Sequence, residues 1–195
     1  DEGEWASVSE GESSKFLGYE SLESESQIRR YRKNDNQIEI ILDQTPFYAE
    51  SGGQVGDTGI FSCNNFSFEA SDTIKHQNEF IHIGQIKSGS IENVKEIHAS
   101  VTGSRREKIR LNHTATHLLH QALKEVLGEH VQQAGSMVSS ESLRFDLTHY
   151  EQISDDQIEE IEVCVNAVIM ENKAVQTEIK KYKEARDEGA VSLFG

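Results

Sequence analysis

Alternating apolar and polar residues predict β-structure in the middle of the chain. Between residues 27 and 102, short alternating segments are separated at regular intervals by clusters of Asn, Gly, Asp and Ser. A period of two residues is typical of strands with one buried face. The segments are QIRRYR, QIEIILD, DTGIFS, FSFEA, EFIHIGQI and EIHASV. Because closure removes the exposed edges of short strands, we expect a small antiparallel β-barrel.

Near Gly103 the apolar period changes to three and four residues, which predicts one long amphipathic helix that ends at Gly128. Two strand-like pieces follow, HVQQAGSMVS and SLRFDL, joined by a Ser-Ser-Glu turn. A second helix is predicted from about Asp155 to Asn172, capped by Asp155 or Ser154. After it, AVQTEIKKY alternates as a strand does, and YKEARDEG predicts a short helix. The predicted fold class is α+β: a small antiparallel β-barrel followed by a unit in which two main helices pack on an antiparallel sheet.

Charge is distributed unevenly along the 195 residues, whose net charge is −15. Residues 1–26 carry one base and eight acids, residues 27–110 eleven of each, and residues 111–195 seven bases and fifteen acids. We expect three regions: an acidic, solvated arm over residues 1–26, the glycine-containing barrel over 27–103 and the α+β domain over 104–195. Apolar side chains can anchor parts of the arm, namely Trp5, Phe16, Leu17 and Tyr19. A polyanion would meet the middle region, since the net charge opposes bulk attraction to nucleic acid.

Several protein classes are excluded. No apolar run reaches the roughly 18–20 residues of a membrane helix, and the first residues lack the pattern of a secretory signal. Cys63 and Cys164 lie far apart without CxxC spacing, so no disulfide framework or cysteine zinc site is indicated. We expect a cytoplasmic protein without a membrane partner. Because its only methionines are Met137 and Met170 and it stops just after an apolar run, we interpret the chain as part of a longer protein.

The sharpest chemical motif is the HxxxH pair of His113 and His117 on the predicted long helix. Residues four apart lie on one helix face, so both imidazoles can address one metal ion, for which zinc is the natural candidate. The residue after His113 is Thr114, so the general-base glutamate of a metalloprotease is absent. Two histidines that merely pack on a helix–sheet seam are the alternative.

The other histidines lack ligand spacing. His120 shares the helix face and is interpreted as a packing residue or as support for the ligands. We interpret the rest as ordinary polar or seam residues: His76, His82, His98, His130 and His149.

Residues 47–59, FYAESGGQVGDTG, contain four glycines. They match neither a Walker loop nor GxGxxG, so a nucleotide-phosphate cradle is not supported. Tight turns of a barrel hairpin are the favoured interpretation.

Four bases lie at the start of the long helix, where the helix dipole favours acids: Arg105, Arg106, Lys108 and Arg110. Binding of an RNA backbone explains this placement. A solvated face offset by neighbouring acids is the alternative.

Two long segments, LDQTPFYAESGGQVGDTG and RLNHTATHLLHQALKEVLGEHVQQAGSMVSSESLRFDLTH, closely resemble the editing region of the alanyl-tRNA synthetase family. The resemblance runs from about Lys15 to the end of the chain. Free-standing alanyl-tRNA editing proteins and, more distantly, the editing domain of threonyl-tRNA synthetase are similar. The resemblance implies that the chain is part of an alanine-tRNA ligase used in protein biosynthesis, namely its β-barrel and most of its aminoacyl-tRNA hydrolase (editing) domain.

The resemblance also implies roles for individual residues. His113 and His117 match two of four zinc ligands, the others being a Cys and a His of a later Cys-Gly-Gly-Thr-His segment that residues 1–195 do not contain. Gln133 matches a glutamine lining the editing pocket, and Thr116 falls where the family places a hydroxyl near the substrate. Cys164 lies at the wrong place to replace a ligand. ATP would bind only in the family's separate aminoacylation domain.

The implied activity is zinc-dependent hydrolysis of Ser-tRNA(Ala) and Gly-tRNA(Ala), while the whole protein attaches alanine to tRNA(Ala) with ATP. The expected partners are the acceptor end of tRNA(Ala) and the remainder of the synthetase chain. The alternative is a non-catalytic module that positions the tRNA acceptor end.

Overall fold

The computed structural model describes residues 3–176, 178 and 180–189. The chain divides into two compact units, one of residues 1–112 with 137–142 and one of residues 113–136 with 143–195. The division falls within the long helix and within a strand. No helix among the described residues has the length and hydrophobicity needed to cross a membrane.

The first unit is built on a closed six-stranded antiparallel barrel. Its strands are β3 (Glu23–Asn34), β4 (Gln37–Leu42), β6 (Gly59–Cys63), β7 (Phe66–His76), β8 (Glu79–Ser88) and β9 (Glu96–Val101). They are ordered β3-β4-β8-β7-β6-β9, and pairing of β3 with β9 closes the ring. β3 is long enough to pair with β9 through residues 23–27 and with β4 through residues 28–34. The predicted barrel and all six predicted strands are confirmed.

Large apolar side chains fill the barrel because alternate positions of every strand face inward. Phe47, Phe61 and Phe68 are fully buried, together with Ile28, Ile40 and Leu42. The packing is tight enough that a Cβ atom added at Gly84 of β8 would lie 1.9 Å from the carbonyl oxygen of Glu69 on β7. Glycine is therefore required where these two backbones approach.

Residues 3–22, assigned from the sequence to a solvated arm, contact the barrel. β1 (Ala6–Ser7) pairs antiparallel with β3, and β2 (Lys15–Phe16) pairs parallel with β5 (Gln44–Thr45). The ring of Phe16 lies 5.6 Å from that of Phe80 and 6.1 Å from that of Tyr48. The anchoring expected of the apolar residues thus extends along much of this segment.

The second unit contains most of helix α1 (Gly103–Leu127) and most of strand β10 (Gln132–Val138). It also contains strand β11 (Leu143–Thr148), which forms a hairpin with β10, and helices α2 (Asp155–Met170) and α3 (Tyr182–Asp187). Its apolar cluster joins α1, the hairpin and α2 through Leu123, Val131, Phe145 and Ile161. The α+β class is confirmed. Both long helices begin as predicted, and α1 ends at Leu127, just before Gly128.

A capping box starts α2. The Ser154 hydroxyl accepts a hydrogen bond from the backbone N–H of Gln157, and the Gln157 side chain accepts one from the backbone N–H of Ser154. The strand predicted for AVQTEIKKY is not formed by its described residues, which have no regular structure before α3 begins at Tyr182, and residues 177 and 179 lie outside the described residues.

Candidate active site

The HxxxH pair lies in the middle of α1, where its two rings are neighbours. The ring centroids of His113 and His117 are 5.1 Å apart and the ring planes are within 20° of each other. His113 is half-buried and His117 is exposed, whereas Thr116 between them is buried with 7% of its surface accessible. The helix therefore places the two imidazoles side by side on one face, as their spacing predicted.

Burial lowers the pKa of His113, and the neighbouring His117 lowers it further because two adjacent imidazolium ions repel each other. A lowered pKa favours the neutral imidazole, which is the form that binds a metal ion. The pair thus fits half of a four-ligand zinc site. Across the part of the chain that the structure describes, no group of three or more His, Cys, Asp or Glu side chains is arranged to hold a metal.

His120, one turn further along α1, packs against the ring of Phe145 with centroids 5.0 Å apart. Burial lowers the pKa of its imidazole, with a smaller contribution from Lys124. Its Nε2 is buried and has no hydrogen-bond partner among the described residues. The contact with Phe145 fits the packing role, one of the two interpretations of His120.

Gln133 lies near the start of β10 and is half-buried. Its Nε2 donates a hydrogen bond to the Ser136 hydroxyl at 3.2 Å. Thr116, His113, His117 and Gln133 all belong to the second unit, so one compact unit carries every residue assigned to the editing pocket.

The four bases at the start of α1 do not form one exposed patch. Arg106 is buried: its guanidinium forms hydrogen bonds with both carboxylate oxygens of Asp57 and with the carbonyl oxygens of Gly18 and Pro46. Its side chain binds within the barrel unit, so little of the guanidinium is accessible to an RNA backbone. The reason is that Asp57, 49 residues away in sequence, supplies a buried counter-charge.

The other three bases differ in exposure. Arg105 is half-buried and donates to the carbonyl oxygen of Gly56 at 2.9 Å. Lys108 and Arg110 are exposed, and Arg110 lies 3.5 Å from the carboxylate of Glu107 on the same helix. The basic surface available to a polyanion therefore centres on Lys108 and Arg110.

The glycine-rich segment connects β5 to β6 and turns tightly at residues 51–54. Gly52 and Gly53 have φ values of 58° and 85°, which favour glycine. The segment binds the start of the β10–β11 turn through backbone bonds, Val138 N–H to Gly53 O at 2.8 Å and Val55 N–H to Val138 O at 3.1 Å. The tight turn agrees with the interpretation of the sequence. The backbone pairing with Val138 was not predicted, because Val138 lies far away in the sequence.

Two arrangements involve histidines that sequence reasoning treated as ordinary. His82 is fully buried in the barrel, between the Thr45 hydroxyl at 2.8 Å and the Ile40 carbonyl at 2.9 Å. His130 and His149 hydrogen-bond to each other. No spacing signal identifies either arrangement, because each depends on strands that pair across the fold.

Curated relatives cover nearly the whole chain. It is 46% identical over 191 residues to an alanine–tRNA ligase of Legionella pneumophila, and this match includes 93% of the chain and 22% of the relative. It is 42% identical over 202 residues to the Mesorhizobium japonicum enzyme of that name, with 98% and 23% covered. For the Thermoanaerobacter enzyme the identity is 46% over 189 residues, with 92% and 22% covered. The chain spans about a fifth of the length of these relatives.

A family model described as tRNA synthetases class II (A) matches residues 4–105, which include all six barrel strands. This match covers more than half of the 195 residues. The chain belongs to the class II (A) tRNA synthetase family.

Proposed function

We propose that the chain is the β-barrel and most of the editing domain of an alanine–tRNA ligase. Its editing region hydrolyses mischarged Ser-tRNA(Ala) and Gly-tRNA(Ala) in a zinc-dependent site. The observation that carries the proposal is the stacked pair of His113 and His117 on one face of α1, with the buried Thr116 one helical turn after His113. The names of the curated relatives support the same parent protein.

A second, hydrolytic site has a physical reason. A pocket sized for alanine cannot strongly exclude glycine or serine, because differences of this size give only about 10- to 200-fold selection. In the proposed site, Thr116 and Gln133 bind the serine hydroxyl. A correct alanyl ester would leave these polar groups without their partner, which favours hydrolysis of the seryl ester over the alanyl ester. This contact does not act on the glycyl ester, which has no hydroxyl.

The proposed zinc is held by His113 and His117, together with a Cys and a His from a later segment of the full-length protein. Zinc bound there would either lower the pKa of a water to about 7 for attack on the ester or supply a positive charge that orients the aminoacyl end of the tRNA. The lowered pKa of His113 keeps its imidazole neutral and ready to bind the ion.

The remaining functions belong to other parts of the parent protein. Aminoacylation with alanine and ATP is assigned to a separate domain, and the partners of this chain are the tRNA(Ala) acceptor end and the rest of the synthetase. We place the protein in the cytoplasm, where its tRNA substrate is found.

Deacylation of Ser-tRNA(Ala) by the full-length protein tests the proposal. We expect His113→Ala and His117→Ala each to lower the rate more than about 100-fold, since even partners of metal ligands contribute about 10- to 100-fold. His76→Ala is the matched control, because His76 is an exposed histidine of β7 in the barrel. Normal deacylation by both α1 variants would refute the proposal.

The second candidate, a non-catalytic module that positions the tRNA acceptor end, is favoured by one observation: Lys108 and Arg110 are exposed near the start of α1. If it is correct, the double variant Lys108→Ala/Arg110→Ala binds tRNA more weakly. The slope of log binding constant against log salt concentration then falls by the amount expected for the loss of about one to two phosphate contacts. Deacylation would then be absent or insensitive to the histidine variants.

A further inference from the structure

A histidine pair joins the two strands at the open end of the β10–β11 hairpin. His130 immediately precedes Val131 and β10, and His149 immediately follows β11. The Nε2 of His130 and the Nδ1 of His149 are 2.9 Å apart, which is a hydrogen-bond distance. One of these nitrogens donates and the other accepts.

Ring packing supports this bond. The planes of His130 and His149 are within 20° of each other, with centroids 5.2 Å apart. His130 also lies against Tyr150, whose ring is within 21° of parallel at a centroid distance of 5.0 Å. Tyr150 is 87% exposed, so this aromatic group lies at the surface of the second unit.

The next residues inward are also joined through a side chain. The backbone N–H of Gln132 donates to the Thr148 hydroxyl at 3.2 Å, and that hydroxyl faces the Gln132 carbonyl oxygen at 3.5 Å. At the other end, the Ser139–Ser142 turn holds the strands by a backbone bond of 2.9 Å. Val131, between His130 and Gln132, is fully buried in the cluster that joins the hairpin to α1 and α2, so the polar contacts at the open end add to this packing.

Gln133 lies next to Gln132, three residues from His130, at this same end of the hairpin. We propose that the His130–His149 hydrogen bond is a clamp that holds the open end of the hairpin and thereby positions Gln133 for recognition of the serine hydroxyl. Both histidines are positioning residues, since they act through Gln133. The inference rests on the proposed editing function, which assigns Gln133 to the substrate pocket.

The geometry of the bond provides matched variants. An Asn side chain places a polar atom near the position of the histidine Nδ1, and a Gln side chain places one near Nε2. His149→Asn and His130→Gln therefore retain a hydrogen-bonding group at the contact. His149→Ala and His130→Ala remove it, while the exchanged variants His149→Gln and His130→Asn misplace it.

Steady-state deacylation of Ser-tRNA(Ala) by the full-length protein is the first readout. We expect the Ala variants to lower the rate about three- to tenfold at saturating substrate, the range that one hydrogen bond supports, with little change in KM. His149→Asn and His130→Gln are expected to retain most of the wild-type rate, and the exchanged variants are not. Equal rates in all six variants and the wild type would overturn the clamp while leaving the editing function intact.

Amide hydrogen exchange in the 195-residue chain is the second readout and requires no enzymatic activity. We expect His149→Ala to speed exchange at the backbone N–H of Gln132 and Gln133 about three- to tenfold, the same range for one lost hydrogen bond, and His149→Asn to retain protection. Exchange at the barrel strand β4 serves as the internal control. Unchanged exchange at Gln132 and Gln133 would overturn the clamp, whatever the result of the deacylation assay. An inactive wild type in that assay would instead count against the proposed function.

Discussion

Arg106 and Asp57 form a buried ion pair that joins the first turns of α1 to the glycine-rich segment. The Arg106 side chain is 9% accessible and that of Asp57 is 1% accessible. Each group has further partners: the backbone N–H of Tyr48 donates to the Asp57 carboxylate at 2.7 Å, and Arg106 donates to the carbonyl oxygens of Pro46 and Gly18. The pair therefore fixes three segments of the barrel unit at one point.

Removal of one partner of this pair is expected to destabilise the chain strongly. Asp57→Asn and Arg106→Met should each lower the free energy of unfolding by about 3–5 kcal/mol, because each leaves a buried charge without compensation. Urea denaturation of the 195-residue chain measures this change. The double variant should lose less than the sum of the two single losses.

Arg110→Met is the matched control for the ion pair, since Arg110 is an exposed arginine of the same helix. We expect its effect to remain within about 0.5 kcal/mol. If Arg106→Met were as mild as Arg110→Met, the ion pair would not be the anchor described here.

His82 should make the stability of the chain depend on pH. Burial lowers its pKa from 6.5 to about 4, because the charged imidazolium is poorly solvated among the barrel side chains. Between these values the unfolded chain binds the proton more readily than the folded one, so stability falls as the pH falls. The full contribution of about 3 kcal/mol is present above pH 6.5 and is lost by about pH 4.

Denaturant unfolding at a series of pH values between about 4 and 7 measures this loss. His82→Gln should be less stable at pH 7, since it replaces a well-packed ring, and its stability should change less between about pH 7 and pH 4. His76→Gln, at an exposed site on β7, should keep the pH dependence of the wild type. An unchanged slope in His82→Gln would show that another group is responsible.

The capping box of α2 gives a smaller, local prediction. Ser154→Ala removes the hydroxyl that accepts from Gln157 and should cost about 1 kcal/mol. Thermal unfolding followed by circular dichroism measures the effect. Ser154→Asn retains a capping side chain and should remain close to the wild type, and an equal loss in both variants would contradict the assigned cap.

Local signals in the sequence predicted the six barrel strands and the two long helices correctly. The limits of α1 follow from the apolar period and from Gly128, and the start of α2 follows from Ser154. Each of these signals lies within a few residues of the helix end that it determines. The HxxxH face is local in the same sense, because four residues of helix fix the relation of His113 to His117.

Contacts between distant segments could not be predicted in this way. The burial of Arg106 depends on Asp57, 49 residues earlier, and the His130–His149 bond depends on closure of a hairpin across 19 residues. The charge pattern of the sequence suggested four exposed bases at the start of α1. Which of them are exposed depends on their contacts in the folded chain, which the sequence pattern does not reveal. The alternating pattern of AVQTEIKKY likewise gave no information about a partner strand.

Zinc content tests the central claim most directly. The 195-residue chain and a version extended through the next Cys/His segment of the full-length protein should be compared for bound zinc and for Ser-tRNA(Ala) hydrolysis. We predict weak zinc binding by the shorter chain, about one zinc per chain in the extended form, and hydrolysis by the extended form alone, with zinc lost in His113→Ala and His117→Ala. Equal hydrolysis by both forms without metal would contradict the assignment of His113 and His117 as zinc ligands.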